Sequence, residues 1–421
     1  MKAILQKTLA KAGGILLRIL SFLLTVLLLL PLLLLPNATA VPAPIWVVLM
    51  IFGLGALWLQ FGMRPTWKAM SYAPTAALLV LTLAVILSQA FAMTPPITGA
   101  DGKTLPGSIA SLEQVTLNGT RQWVSIRGKD SAKPVLLFLA GGPGGSQLST
   151  QRYALSGLED HFVVVNWEQP GAGKSFNAVD RSKLTVDDYV VYGHDLVMQL
   201  RERFHQDKVY LVGESWGSAL GILMVQRYPE LFHAFVGTGQ MVAFTENDVI
   251  CYNFALDWAK ERGDSAKVEQ LVKQGPPPYY GSDVAWKQVP YLLDTYSYMN
   301  RNPEIYDNGT DTWRDLAAPE YGLYDKVSWF RGVIDTLGFV YPQLWDIDFR
   351  AQAVKLDVPV YFLIGRHDIN APVKLTQEYY ELLDASHKEI VWFEHSGHNP
   401  WVTEADEFVR VMVEKVLKEK P

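Results

Sequence analysis

Three long apolar runs near the start constrain this chain more than any other feature of its sequence. They are Ile15–Leu35, Ile45–Met63 and Thr75–Met93, of 21, 19 and 19 residues. A helix crosses the hydrocarbon core of a bilayer with about 20 apolar residues, so each run is long enough to span a membrane. The segments between the runs are short and rich in proline, which marks turns. The sequence therefore predicts three transmembrane helices in a membrane region over residues 1–99.

Two other interpretations of these runs stay open. A basic start, an apolar stretch and the small residues Ala38-Thr39-Ala40 also fit a cleaved signal peptide, although the apolar stretch is long for one. The runs could instead be core helices of a soluble domain, but residues 1–99 contain no amphipathic helix that would cover them. We favour the membrane-spanning interpretation for these reasons.

Charge is divided unevenly along the chain. Residues 1–99 carry six basic residues and no acidic one, whereas the rest carries 31 basic and 43 acidic residues. Cytoplasmic loops are enriched in Lys and Arg, and the basic residues here lie in the N-terminal tail and at Arg64 and Lys68. This pattern predicts a cytoplasmic N-terminus, and three crossings then place everything after residue 94 outside the cytoplasm. The acidic remainder excludes nucleic acid as a partner, because phosphates require a basic surface.

Residues 100–421 show alternating strand and helix patterns. Asn118-Gly119 lies between two strand-like segments and indicates a tight hairpin. Uninterrupted apolar strands follow, with amphipathic helices between them, and this alternation predicts a doubly wound, mainly parallel sheet. The strand patterns stop at residue 241, and short helices alternate with Pro- and Tyr-rich pieces up to residue 345. We therefore predict an α/β core over 100–240 and 346–421, with a helical cap inserted over 241–345.

The sequence GESWG at residues 213–217 follows the apolar strand Val209–Val212 and opens a helix. This is the context of a nucleophile elbow, a tight turn that exposes a serine at the edge of a sheet. The helix N-terminus behind the serine favours developing negative charge. The pattern predicts Ser215 as a nucleophile.

A serine hydroxyl needs a base, and the base needs an orienting acid. In this architecture both follow the serine along the chain, with the acid first. Asp368 comes shortly after the strand Val358–Ile364, and His398 comes shortly after the strand Glu389–Phe393. We predict Asp368 as the acid and His398 as the base. Rivals in the sequence are His367 and His395 for the base and Asp346 and Asp348 for the acid.

An acyl-transfer site also needs donors for the oxyanion. One should be the main-chain N–H of Trp216, and the other should come from Gly142 in the GGPGG loop at 141–145. A second glycine-rich stretch, 171–175, lacks the spacing of a phosphate-binding loop, because Glu168 stands where its first glycine belongs. We predict no cofactor and no metal. His395 and His398 could form a pair of metal ligands, but the sequence offers no third ligand near them.

Three blocks resemble those of a known group. GGPGG at 141–145 is similar to an HGGPGG motif, NWEQPGAGKS at 166–175 looks like a DQRGxGxS block, and GESWGS at 213–218 matches GxSWG followed by Ser or Gly. Together they resemble the α/β-hydrolase fold and, within it, the prolyl aminopeptidase (proline iminopeptidase)-like serine peptidases. The chain departs from that pattern at Ala140, Glu168 and Pro170, which stand where the group has His, Asp and Arg.

The resemblance implies a Ser nucleophile, a His base, an Asp orienter and a helical cap. It also implies hydrolysis after a small N-terminal residue, often proline, with cap carboxylates holding the free amine of the substrate. Gly141, Glu168 and Glu246 are candidate substrate-binding residues, and Glu261 is a further cap carboxylate with the right chemistry. The oxyanion hole is assigned to Gly142 and Trp216.

The sequence thus predicts a membrane-anchored serine hydrolase at the cell membrane, with its catalytic domain outside the cytoplasm. The favoured substrate is a short peptide with a free N-terminus, and the expected partners are that substrate and the lipid bilayer. One alternative is an ester hydrolase or lipase that acts near the membrane. An alternative of another class is a non-catalytic binding protein on the same fold.

Overall fold

The computed structural model describes residues 2–62, 67–281, 283–306 and 312–418. Two compact units divide the chain: one contains Met1–Thr94 with Leu316–Val327, and the other contains Pro95–Asp315 with Ser328–Pro421. Met63, the predicted end of the second apolar run, and Arg64, part of the topology argument, lie outside the described residues.

The first unit is built on long apolar helices, as predicted. Three of them, covering Thr8–Ala38, Ala43–Phe61 and Met70–Ala90, are long and apolar enough to cross a membrane by length and composition. The first is continuous through a tighter 3-10 turn at Leu30–Leu34. The third ends at Ala90 rather than Met93. The helices are α1 Lys2–Leu29, α2 Leu35–Ala38, α3 Ala43–Gly62 and α4 Trp67–Ala90.

These helices expose many apolar side chains and bury several polar ones. Leu16, Leu27 and Ile51 are more than half exposed. Inside, the Gln60 side-chain amide donates hydrogen bonds of 2.8 Å to Ser21 Oγ and to Thr25 Oγ1. Polar side chains that bond across helices hold transmembrane bundles together, whereas an apolar exterior suits hydrocarbon.

Residues 316–327 pack with the end of α4 and the residues that follow it, up to Thr94, although the sequence assigned 316–327 to the cap. Three polar pairs join the two segments: Leu323 N–H donates to Ser88 Oγ (2.9 Å), Gln89 Nε2 to Asp325 Oδ1 (2.8 Å) and Thr94 Oγ1 to Glu320 Oε1 (3.0 Å). The Glu320 and Asp325 side chains are buried there. The compact units therefore divide the chain differently from the predicted domains, because these bonds join residues more than 220 positions apart.

The second unit is organised around an eight-stranded sheet of order β1-β2-β4-β3-β5-β6-β8-β10. The strands from β4 to β10 in that order run parallel, and β1 and β2 pair antiparallel at one edge. Asn118 and Gly119 both have positive φ in the β1–β2 turn, as the hairpin signal requires. The strands are β1 Ile109–Leu117, β2 Thr120–Gly128, β3 Val135–Leu139, β4 Val163–Glu168, β5 Val209–Glu214, β6 Phe232–Thr238, β7 Lys355–Leu356, β8 Val360–Gly365, β9 Asp384–Ala385 and β10 Lys388–Phe393, with β7 and β9 forming a separate two-stranded sheet.

Helices cover both faces of this sheet and bury a separate apolar core on each face. The described residues between β6 and β7 form helices and loops, which agrees with the predicted helical insertion. The mainly parallel, doubly wound α/β architecture is thus confirmed. The helices after α4 are α5 Leu148–Ala154, α6 Val186–Phe204, α7 Trp216–Arg227, α8 Phe244–Glu261, α9 Ser265–Gln274, α10 Val284–Met299, α11 Thr312–Leu316, α12 Leu323–Arg331, α13 Leu337–Val340, α14 Phe349–Gln352, α15 Val373–Leu382, α16 Pro400–Thr403 and α17 Ala405–Val411. The last residue of α11 and the first five of α12 belong to the first unit.

Candidate active site

Ser215 lies in a tight turn between β5 and α7. Its φ is 54° and its ψ is −121°, a strained conformation for a residue other than glycine. A Cβ on Gly213 would overlap the carbonyl oxygen of Gly217, and a Cβ on Gly217 would overlap that of Leu139. Only glycine at both positions lets the strand and the helix come this close. The turn therefore has the geometry that the GESWG pattern predicts.

Asp368 and His398 meet at the ends of two neighbouring parallel strands, β8 and β10. Asp368 Oδ2 lies 2.8 Å from His398 Nδ1, and both side chains are buried. The two loops are joined by a hydrogen bond of 3.0 Å from His367 N–H to the carbonyl oxygen of Ser396. They approach so closely that a Cβ on Gly365 would overlap the main chain of Gly397. The structure thus brings the predicted acid and base together.

The rival residues have other partners. His395 stacks on Tyr306 with ring centroids 4.2 Å apart. His367 Nε2 lies 3.1 Å from the main-chain oxygen of Glu394. Asp348 pairs with Arg350 at 2.8 Å. Asp346 is exposed.

His398 Nε2, the atom expected to take the proton of the serine, faces two other side chains. Asn370 Nδ2 lies 3.2 Å away and Glu214 Oε1 lies 3.5 Å away. Among the described residues, no hydrogen bond joins Ser215 Oγ to His398 Nε2. Burial alone would lower the pKa of His398, but the charge and hydrogen bond of Asp368, together with the charge of Glu214, raise it above its ordinary value.

A small cavity of about 40 Å³ lies beside Ser215. Gly142 and Trp216, the predicted oxyanion donors, line it together with the serine. Most of its other lining residues come from the inserted segment, among them Phe244, Asn247, Asp248, Leu292, Leu337 and Tyr341. The volume holds only a few waters, so the site is nearly closed in this structure.

The candidate substrate-binding residues lie in different surroundings. Gly141 packs directly against the Glu214 carboxylate and donates its N–H to Gln147 Oε1 at 3.2 Å. Glu168 is buried, accepts from Lys174 N–H at 2.8 Å and bonds Ser146 Oγ, so it holds its own loop.

Neither cap glutamate named from the sequence lies in the cavity wall. Glu246 pairs with Arg350 at 2.5 Å, and Glu261 is exposed at the end of α8. Its turn of α8 directs Glu246 to Arg350, and a contact between Glu246 and substrate stays a prediction. Asp248, two residues later, does line the cavity.

Sequence reasoning missed Asp248, which is a fully buried carboxylate. Gln288 Nε2 and the Tyr291 hydroxyl donate to its Oδ2 at 2.6 and 2.7 Å, and the Tyr341 hydroxyl donates to its Oδ1 at 3.0 Å. Burial raises the pKa of Asp248 to about 6. None of the cations that the structure describes forms an ion pair with it. The sequence could have flagged it only as a neighbour of Glu246.

Sequence reasoning also missed Glu214, although it is the second residue of the GESWG motif. Its carboxylate is buried, and burial raises its pKa. Over the described ranges, no group of three or more His, Cys, Asp or Glu is arranged to hold a metal ion.

Comparison with known proteins agrees with this architecture. The family model described as "alpha/beta hydrolase fold" matches residues 134–405, well over half of the chain. The chain belongs to this family. Its fold is thus that of an α/β hydrolase, as the sequence motifs predicted.

Particular relatives are peptidases by name. The chain is 27% identical over 311 residues to a probable aminopeptidase of Bacillus subtilis (strain 168), covering 72% of this chain and 96% of the relative. It is 23% identical over 299 residues to a proline iminopeptidase of Lactobacillus crispatus (strain ST1), covering 70% of this chain and 94% of the relative. A crystal structure of a proline iminopeptidase from Mycobacterium smegmatis shares the fold at a TM-score of 0.51 and 17% identity, covering 73% of this chain and 98% of that one. The predicted resemblance to this group is confirmed.

Proposed function

We propose that this protein is a membrane-anchored serine aminopeptidase that removes a small N-terminal residue from short peptides. One observation carries the peptidase proposal: Asp248 lines the same small cavity as Ser215, and its buried carboxylate has no cationic partner among the described residues. A carboxylate buried without a cation favours a cationic ligand. The free α-ammonium group of a peptide supplies that charge close to its first carbonyl group.

In the proposed reaction, Ser215 Oγ attacks the carbonyl carbon of the first residue. His398 Nε2 takes the serine proton, and Asp368 stabilises the imidazolium through Nδ1–H. The main-chain N–H groups of Gly142 and Trp216 receive the oxyanion. His398 then passes the proton to the leaving amine, and water hydrolyses the acyl-enzyme.

This route requires His398 Nε2 to exchange its present neighbours for the serine hydroxyl. Asn370 and Glu214 are the polar groups that face Nε2 here. Catalytic hydrogen bonds are often long or misaligned before substrate binds and tighten in the complex. Substrate entering the cavity beside Ser215 is the event that we expect to bring the base and the nucleophile together.

The nucleophile is tested with a fluorophosphonate probe, which labels activated serines. We expect labelling of the wild-type protein and none of Ser215→Ala. Absence of wild-type labelling would instead favour a binding protein on the same fold.

The substrate class is tested with a proline arylamide, its N-acetylated form and a short p-nitrophenyl ester. We expect turnover of the free-amine arylamide and a large loss on acetylation, because the acetyl group removes the positive charge that Asp248 would hold. Strong ester hydrolysis without arylamide turnover would support an esterase and contradict the peptidase proposal.

Asp248→Asn and Glu246→Gln form a matched pair on one helix. Asp248→Asn should raise KM for the free-amine substrate roughly tenfold to a hundredfold, the range expected for losing a hydrogen bond to a charged group. Glu246→Gln, which changes a carboxylate paired with Arg350, should leave KM close to wild type. Equal effects of the two changes would contradict the assignment of Asp248.

The membrane anchor is proposed from the length and apolar composition of three helices and from the distribution of Lys and Arg. The proposed topology has a cytoplasmic N-terminus and the hydrolase domain outside the cytoplasm. A protease added to sealed cells should digest residues 100–421. Full protection of that part of the chain would refute this orientation.

A further inference from the structure

A second buried carboxylate flanks the imidazole of His398. Asp368 Oδ2 lies 2.8 Å from Nδ1 on one side of the ring, and Glu214 Oε1 lies 3.5 Å from Nε2 on the other. Both carboxylates are almost fully buried, with side-chain exposures of 1% and 2%. The proposed mechanism uses Asp368 and assigns nothing to Glu214.

The Glu214 carboxylate is held in place by the loop that carries the oxyanion donor. Gln147 Nε2 donates to Glu214 Oε2 at 2.8 Å, and Gln147 Oε1 accepts from Gly141 N–H at 3.2 Å. A Cβ on Gly141 would overlap Glu214 Oε2. Gly141 and Gln147 thus fix the position of the Glu214 carboxylate beside His398.

The charge of Glu214 has one basic partner among the described residues, and that partner is His398. Burial raises the pKa of Glu214, and the charge of His398 lowers it. The other groups that face the imidazole are Asp368, the Asn370 amide and the ring of Tyr296, whose centroid lies 5.7 Å away. Burial keeps the pKa of Tyr296 well above its ordinary value, so its hydroxyl stays neutral. Glu214 and Asp368 are therefore the two charges that act directly on the ring.

We infer that Glu214 is a positioning residue that stabilises the protonated form of His398 from the Nε2 side. The inference rests on the proposed serine mechanism. When the Ser215 proton moves to Nε2 and the Oγ–carbon bond forms, the imidazolium has a carboxylate at each nitrogen. The proton then leaves Nε2 for the departing amine, so Glu214 itself neither gains nor loses a proton.

Glu214→Gln tests this inference, because it keeps the shape and an acceptor for Gln147 but removes the charge. Loss of a neighbouring negative charge lowers the pKa of an imidazole. We expect the acid limb of kcat/KM to move to lower pH by about half a unit or more, and kcat to fall roughly tenfold or more. The rate of fluorophosphonate labelling of Ser215 should show the same shift of its acid limb.

Two other variants separate charge from structure. Gln147→Ala removes the hydrogen bond to the Glu214 carboxylate but keeps the charge of Glu214. Activity should therefore fall without the shift of the acid limb that we expect for Glu214→Gln. Glu414→Gln changes an exposed carboxylate paired with Arg410 and should leave the profile as in wild type. Should Glu214→Gln fail to fold, Glu214→Asp keeps the charge at a greater distance and should give a smaller shift in the same direction.

An acid limb that stays at the wild-type pH in folded Glu214→Gln, or in Glu214→Asp if only that variant folds, would overturn the inference while leaving the serine mechanism intact. Absence of labelling of wild-type Ser215 would overturn both. The two failures are therefore distinguishable in one set of labelling experiments.

Discussion

At the scale of single residues, His398 is the point where burial and charge oppose each other. Burial favours the neutral ring, whereas Asp368 and Glu214 favour the imidazolium, and the net pKa lies above the ordinary value. A base must be neutral to accept a proton. The charges around the ring therefore determine the pH at which the proposed reaction begins.

We expect the acid limb of kcat/KM to have its midpoint above about 6.5, the ordinary pKa of histidine. Asp368→Asn should lower kcat roughly a thousandfold or more, because the ring loses both its orientation and its charge partner. A pH–rate profile with the proline arylamide measures the midpoint, and kcat of the variant measures the loss. A wild-type midpoint below pH 6 would disagree with the charges placed around His398.

The ionised carboxylate of Asp248 should lower the stability of the folded protein, because it is buried. Its pKa is about 6 in the folded chain against 3.8 for the free side chain, so the fold disfavours the ionised form. This raised pKa means that stability falls as pH rises from 3.8 through about 6 and stays lower above that range. Asp248→Asn removes the charge, and its Tm at pH 8 should equal or exceed that of wild type by up to several degrees. A large fall in Tm at pH 8 would contradict this expectation.

At the scale of elements, the turn between β5 and α7 depends on close main-chain approaches. Gly213 and Gly217 allow the strand, the helix and the end of β3 to meet around Ser215. The backbone of Ser215 is itself strained, with a φ of 54°. Strain of this kind persists where surrounding contacts enforce it, and it is common at active sites.

Gly217→Ala should therefore be strongly destabilising, because the added methyl group would meet main-chain atoms of Leu139 and Ala140 that cannot move aside. Gly338→Ala is the matched control: a Cβ there meets nothing within 4 Å, and the residue lies in helix α13. We expect the control to unfold at or slightly above the wild-type temperature, since alanine favours helix. Similar unfolding temperatures for the two variants would argue against the tight turn.

At the scale of the whole molecule, the first compact unit is discontinuous in sequence, because residues 316–327 belong to it together with the apolar helices. The segment carries buried charge of both signs, since Glu320, Asp325 and Lys326 are all buried. The Lys326 ammonium donates to the carbonyl oxygens of Leu316, Ala318 and Tyr321. A segment with this many buried polar groups depends on all of its partners.

Removing residues 1–94 should expose this segment. Ser88, Gln89 and Thr94 would be lost, and their partners on 316–327 would be left without those hydrogen bonds. We expect trypsin to cleave after Lys326 much faster in the truncated protein than in the full chain in detergent. Gly322→Ala in the full chain should have a weaker form of the same effect, because its Cβ would overlap the side chain of Gln89. Equal resistance of all three proteins would contradict this packing.

Much of this protein follows from local sequence patterns. The three apolar runs, the alternation of strands and helices, and the GESWG turn each depend on residues that are close along the chain. Asp368 and His398 could be predicted because each follows a recognisable strand and parallel strands end at one edge of the sheet. Such features can be predicted from the periodicity of apolar residues, the length of each segment and the backbone conformations that glycine allows.

The tertiary structure alone decided which carboxylates surround the site. Glu246 and Asp248 stand two residues apart on one helix, yet only Asp248 reaches the cavity, because the docking of α8 determines which face it presents. Glu214 faces His398, and residues 316–327 join the apolar helices, through partners far away in the chain. Such contacts depend on long-range packing, which a local pattern of side chains does not encode.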